Sequence, residues 1–377
     1  MGLSLYATGD LMLQRPVARS DHLGLSAWME RFRDGSLVFA NLEVALTRRG
    51  ERADKLVNLR ADPALAPELR RLGVDVATLA NNHASDFGLT GLRDTLAAVQ
   101  GAGVRTVGAG EDLEAAMAPA VVARGGLRVA FLGFATTLPQ GCAAAADRPG
   151  LAGVRVLSRY VVDPVTVDEN PGIAPYVETE VMPGDAERAV AATARAKADA
   201  DVVVVGVHWG VPHGWTAAFQ SELADYQAPL GHMLVDAGAD AVIGHHPHVL
   251  HGVEVYRGRP IFYSLGNFIF HSIVAAQPEL GRPYPYYSWR SLRSDLNHLG
   301  GVARLSWAEG GAPSAAELLP VWLDDGGDAC PAPPDEADRA LERVVDLSQA
   351  FGTRFARGGK GLAIALGDTP HAARDSR

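Results

Sequence analysis

The sequence predicts a layered α/β fold, and two features of its patterning carry that prediction. Short apolar runs of strand length recur along the chain, and helical stretches with their own start and stop signals stand between them. The runs, in order, are "LSLYATGD", "LVFANLE", "VDVATLANNH", "LRVAFLGFA", "ADVVVVGVHWG", "ADAVIGHHPH" and "RPIFYSLGNFIF". Runs this continuously apolar fit strands buried on both faces. Among the helices, Asp62-Pro63 caps and opens "ALAPELRRLG", which closes on Gly73. "GLTGLRDTLAAVQGAG" ends on glycines, and "DAERAVAATARAKADA" and "FQSELADYQAPLGHMLVDAG" repeat the pattern. A catalytic domain is expected over 1–325, followed by one C-terminal helix over 335–357 and a disordered tail over 366–377. Residues 137–183 are rich in Ala, Gly and Pro without periodicity, and are expected to form an irregular excursion able to act as a lid.

Composition narrows the class. The 377 residues carry 34 Lys+Arg against 44 Asp+Glu, a net charge of −10, which argues against a nucleic-acid or anionic-membrane surface. Three lysines occur, Lys55, Lys197 and Lys360, and the other basic residues are arginine. Two cysteines, Cys142 and Cys330, are too few for a disulfide framework. The N-terminal stretch "MGLSLYATGDLML" lacks a basic region followed by a long apolar one, and no run reaches membrane-spanning length. A cytoplasmic protein with no membrane association is expected.

Most of the strand-like runs end in a polar group: Asp10, Asn41 with Glu43, Asn81-Asn82-His83, His208, and the cluster His245, His246, His248, His251. Each alone has a plain structural explanation. Asp10 suits a turn, Asn81 or Asn82 a strand-end cap, Asp86 the cap of the helix near Gly88, and His208 a satisfied core position. Together they suit one site, because open α/β sheets gather functional groups at the carboxyl ends of their strands.

The stretches "TGDLML", "ANLEVALT", "LANNHASDFGLTGLRDTL", "GVHWG", "GADAVIGHHPHVL" and "PIFYSLGNF" resemble the CapA-like, poly-γ-glutamate synthesis branch of the calcineurin-like metallophosphoesterases. The resemblance implies two packed mixed β-sheets flanked by helices, an α/β/β/α sandwich. It also implies a divalent ion held by Glu43, Asn82, His208 and His246. Asp10 and His248 match positions serving a neighbouring ion, with Glu43 as the bridge. His83 matches a substrate-contacting histidine, with Asp86 placed to orient its ring. The donor set admits Ca²⁺, Mn²⁺, Zn²⁺ or Fe²⁺, with hard oxygen ligands favouring Ca²⁺ or Mn²⁺.

This chain departs from the family's pattern in ways that shape the expectation. The two-metal enzymes open with Asp-x-His, whereas this chain reads Asp10-Leu11-Met12 and a thioether is a poor ligand for a hard cation. The usual glutamate after "HWG" is missing from "HWGVPHGW", and many members carry an N-terminal anchor or signal. One well-formed metal site and a doubtful second are therefore expected. Released from ligand duty, Asp10 with His248 and His83 with Asp86 would form two acid/base pairs beside one cation. The family includes lasso-peptide epimerases, so the expected function is a metal-dependent peptide epimerase inverting a Cα centre near a peptide C-terminus. The alternatives are a two-metal hydrolase and a non-enzymatic accessory protein of polymer synthesis. Trp209, His213, Trp215, Asn267 and His271 are expected to bind the peptide. Tyr263 and Phe268 are further wall candidates, though core packing suits them equally. His245 is expected to support the site through the backbone or a ligand carboxylate, and His251 to be structural or at the rim.

Overall fold

The computed structural model describes residues 2–17, 23–55, 57–173, 175–211, 222–271 and 295–367. Two large sheets form its centre. The first runs Phe355–Gly358, Gly361–Ile364, Pro313–Leu323, Leu299–Trp307, Leu3–Met12, Leu37–Leu42, Val76–Thr78, Arg105–Val107. Asn267–Phe270 also pairs with Leu3–Met12, in parallel. The second runs Val253–Tyr256, Arg259–Phe262, Ala241–His245, Val202–His208, Leu127–Ala135, Ala120–Arg124. Both are mixed. Each has a parallel centre, extended by antiparallel strands at one or both edges.

Strand alternation explains why the sheets stack. In Val202–His208, Val202 and Val204 point into the core between the sheets, while Val203, Val205 and Val207 face the helices outside. Leu3, Leu5 and Ala7 likewise face the second sheet, and Tyr6, Leu11 and Met12 face the outer helices. Phe39 of the first sheet stacks on Phe131 of the second at 5.4 Å between ring centroids. Burying one such side chain contributes about 1.5–3 kcal/mol. Helices Leu23–Arg31, Ala66–Leu72 and Gly88–Gly101 cover the first sheet. Leu113–Met117, Pro183–Asp199 and Gln227–Asp236 cover the second. The result is the expected α/β/β/α sandwich. The helix expected after Asp62-Pro63 is a 3₁₀ turn, Pro63–Leu65, running into Ala66–Leu72, and it closes on Gly73 at φ 94°.

The architecture extends further along the chain than the 1–325 boundary. Helix Pro334–Ser348, shorter than the expected 335–357, inserts Ala340, Leu341 and Val344 into the core between the sheets. The hairpin Phe355–Gly358 and Gly361–Ile364 then completes the first sheet. The excursion at 137–183 is also more regular than its composition suggests. Val156–Val161 and Tyr176–Val181 form an antiparallel ribbon, with helix Pro164–Glu169 between them. Val156–Val161 is largely exposed and Tyr176–Val181 half-buried, so they lack the apolar alternation that marks a packed strand. The tail from 368 lies outside the described residues. No helix among the described residues is long and apolar enough to cross a membrane.

Candidate metal centre

The site forms where strands of both sheets end side by side. Asp10 lies near the carboxyl end of Leu3–Met12, at a register shift between it and Leu11. Glu43 follows Leu37–Leu42 directly, and its N–H donates to the Leu11 carbonyl at 2.9 Å. Asn82 and His83 occupy the turn after Val76–Thr78. The second sheet contributes His208, the last residue of its strand, which pairs in register with His245. His246 and His248 lie in the turn beyond. Gly244 is required just before them, since a Cβ there would meet the Tyr263 carbonyl at 2.2 Å and Trp209 Nε1 at 2.5 Å.

Two groups of ligand atoms result. Glu43, His208 and His246 each bring one such atom within 4.8 Å of the others, and so do Asp10, Glu43 and His248. Glu43 belongs to both. Asn82 Oδ1 lies beside the first group, 2.9 Å from His208 Nε2, where it could add a fourth donor. Met12 adds nothing to either, being buried in the core under the outer helices.

The donor chemistry fits a divalent cation. Both carboxylate oxygens of Glu43 and Nδ1 of His246 are buried without a hydrogen-bond partner among the described residues. Buried polar atoms are seldom left so, because desolvation is then uncompensated. Burial, and next the Asp10 carboxylate, raise the Glu43 pKa well above its ordinary value. Burial pushes Asp10 upward too, but its hydrogen bond with His248 and the nearby histidines hold it below the usual carboxylate range. Burial holds His83, His208 and His245 below the ordinary histidine value, and His246 down to about 3. Neutral imidazoles are the form that binds metal.

Two further histidine nitrogens face the same carboxylate. His83 Nδ1 lies 2.7 Å from Asp86 Oδ2, and a carboxylate only accepts, so that nitrogen carries the proton. His83 Nε2 is then bare, 4.0 Å from Glu43 Oε1. His248 Nδ1 lies 3.0 Å from Asn267 Oδ1 and 3.3 Å from Asp10 Oδ2. Asn267 Nδ2 is engaged with the carbonyls of His248 and Asn297, which orients its oxygen toward the ring. Nε2 of His248 lies 3.8 Å from Glu43 Oε1.

Several residues expected at the peptide-binding wall have other positions. Trp209 is fully buried, donates from Nε1 to the Tyr263 carbonyl at 2.8 Å and stacks on Tyr263, so it is core and not wall. Tyr263 and Phe268 are also core. Asn267 is buried and supports His248 instead of facing a substrate. His271 is buried too, with Nε2 2.9 Å from Asp328 Oδ1 and Nδ1 accepting from the Gln14 N–H. His213 and Trp215 lie outside the described residues. His245 Nε2 donates to the Thr8 carbonyl at 3.1 Å, and His251 is buried. Asp86 caps no helix; it is wholly engaged with His83, Lys55 and the Leu59 N–H. Lys55 has site contacts that its sequence position did not disclose, while Asn41, one of the strand-end polar residues, joins the site as a support. Asn41 Nδ2 donates to Asp10 Oδ1 at 2.8 Å and lies 3.2 Å from His208 Nδ1. The available signal for Lys55 was its rarity, as one of three lysines in an arginine-rich chain.

A two-sheet sandwich with carboxylate, amide and imidazole donors at the strand ends defines an α/β/β/α protein with a candidate metal centre. Residues 4–272 match the family described as bacterial capsule synthesis protein PGA_cap, and the chain belongs to it. It is 28% identical to the Sinorhizobium fredii protein y4sH, over 94% of this chain and 91% of that one. A Mycobacterium tuberculosis protein named a probable polyglutamine synthesis accessory protein is 37% identical, over 61% of this chain and 54% of its own length. The Bacillus subtilis PGA biosynthesis protein CapA is 32% identical, over 71% of this chain and 63% of its own.

Proposed function

We propose that this chain is a metal-dependent peptide epimerase that inverts a Cα centre near a peptide C-terminus, in the biosynthesis of a ribosomally made peptide of the lasso type. One observation supports this reading above the others. His83 and His248 each present Nε2 to the same carboxylate oxygen, with Nδ1 held by a carboxylate or amide oxygen. Two such groups beside one centre suit removal and return of a proton. One imidazole, neutral, takes the Cα proton as the C–H electron pair moves into the adjacent carbonyl. The other, protonated, returns a proton to the opposite face. Glu43, Asn82, His208 and His246 would hold one divalent ion, which when bound offsets negative charge on the peptide's carbonyl or carboxylate. The peptide is the partner this chemistry needs.

Phosphoester hydrolysis with two ions is a second reading, favoured by family membership and by the Asp10, Glu43 and His248 group. Incubation in D₂O with Ca²⁺ or Mn²⁺ separates the two, using a panel of peptides ending in aromatic residues, glutamate-linked chains and phosphodiesters. The expected result is incorporation of a single deuteron without cleavage, lost in His83→Ala and in His248→Ala. Metal-dependent phosphodiester cleavage with no deuterium uptake by any peptide would sink the epimerase reading in favour of the hydrolase.

A further inference from the structure

Lys55 lies in the segment between strand Leu37–Leu42 and helix Ala66–Leu72, and its Nζ reaches into the site. It donates to the Asn82 carbonyl and to Asp86 Oδ1, the latter at 2.6 Å, and lies 3.3 Å from His83 Nδ1. The side chain is mostly covered, 17% exposed, and Asp86 is fully buried. The loop is tied to the same aspartate by its backbone. The Ala53 N–H donates to the Asp86 carbonyl at 2.8 Å, and the Leu59 N–H to Asp86 Oδ2 at 2.5 Å.

We propose that Lys55 is a positioning residue that locks His83 and Asn82 into one geometry. Asp86 has two oxygens to share among three donors. Lys55 occupies Oδ1, which leaves Oδ2 for His83 Nδ1–H and the Leu59 N–H. This fixes the tautomer and the ring orientation that aim His83 Nε2 at Glu43. The same ammonium grips the backbone of Asn82, whose side-chain oxygen is the candidate fourth donor of the group above. One side chain therefore couples the acid/base histidine to a ligand of the ion. Charge balance agrees with the placement. Asp10, Glu43 and Asp86 are all fully buried, and such carboxylates need compensation. Lys55 neutralises Asp86, and one divalent ion would neutralise Asp10 with Glu43. Supporting groups around a metal centre typically change affinity or activity by about 10–100-fold when removed.

The role of His83 as an acting group rests on the proposed function, so the test has arms that do not. In the full chain, Lys55→Met keeps the length of the side chain and removes its charge. The expected results are loss of the far-downfield proton resonance of the His83 Nδ1–H bond, assigned by its absence in His83→Gln, and about tenfold weaker Mn²⁺ binding by calorimetry. Deuterium incorporation should fall by about 10–100-fold. Lys55→Arg, which keeps a cation, should retain most of each property. Lys55→Ala should regain them saturably with added ethylammonium, which also serves if the Met variant does not fold. An unchanged resonance and Mn²⁺ affinity in Lys55→Met, or no rescue by ethylammonium, would overturn the proposal. Should the wild type turn over no peptide, the proposed function fails while the resonance and affinity still decide the role of Lys55.

Discussion

His246 and His248 hold backbone conformations that non-glycine residues rarely adopt, with φ of 100° and 58°. Such residues cost about 1–3 kcal/mol each and persist where their surroundings over-determine them. Here the His246 N–H donates to Asp10 Oδ2 at 3.1 Å. The His248 carbonyl accepts from Asn267 and Asn297 at 3.1 and 3.0 Å. The strain aims two rings at Glu43, itself a costly residue because neither of its oxygens has a hydrogen-bond partner among the described residues. A group kept for binding at the expense of stability gives a signed expectation. Glu43→Leu should stabilise the metal-free protein by about 1–3 kcal/mol in urea unfolding, and abolish Mn²⁺ binding in calorimetry. A destabilised metal-free variant would show that the carboxylate has a structural partner in solution.

At the scale of elements, a buried aspartate ties the base of the exposed ribbon to helix Pro183–Asp199. Asp185, 3% exposed at its side chain, accepts from the Arg155 backbone N–H, from the Arg155 guanidinium and from Arg188. Burial would raise its pKa, but the Arg155 hydrogen bonds outweigh it and hold the carboxyl below its ordinary value. A carboxyl depressed in the folded state adds stability above its unfolded pKa of about 4. That stability is lost as pH falls through the lower folded value. Asp185→Asn should therefore lower the melting temperature at pH 7 and flatten its decline below about pH 4. An acid limb identical to the wild type's would assign that sensitivity elsewhere. The ribbon also shows where sequence reasoning stops. Val202–His208 was legible because both its faces are buried, and so were the Asp, Glu, Asn and His residues at the strand ends. The ribbon strands bury little, and Lys55 sits in a loop with no period to betray its contacts. Trp209 was misplaced because an aromatic residue just past a strand end fits a pocket wall and a core equally well, and only the close approach of Gly244 and Tyr263 decides between them.

Across the whole molecule, the candidate ligands divide between the two sheets. Asp10, Glu43 and Asn82 come from the first, and His208, His246 and His248 from the second. An ion bound among them would add to the apolar packing that joins the two layers, including the stacked Phe39 and Phe131, and to the hydrogen bonds from His245 and His246 to Thr8 and Asp10. In the unfolded chain these residues are far apart in sequence, so the ion would bind the native state almost exclusively and its binding free energy would appear as stability. At a free concentration a hundredfold above Kd, that amounts to about 2.7 kcal/mol. The melting temperature should accordingly climb with Mn²⁺ or Ca²⁺ concentration and fall back on chelation. Glu43→Leu and His246→Ala should remove the response, while Met12→Leu should leave it intact because Met12 packs under the outer helices. A metal response that survived both site variants would place the stabilising ion outside this junction, and the two sheets would then be held by their packing and direct hydrogen bonds.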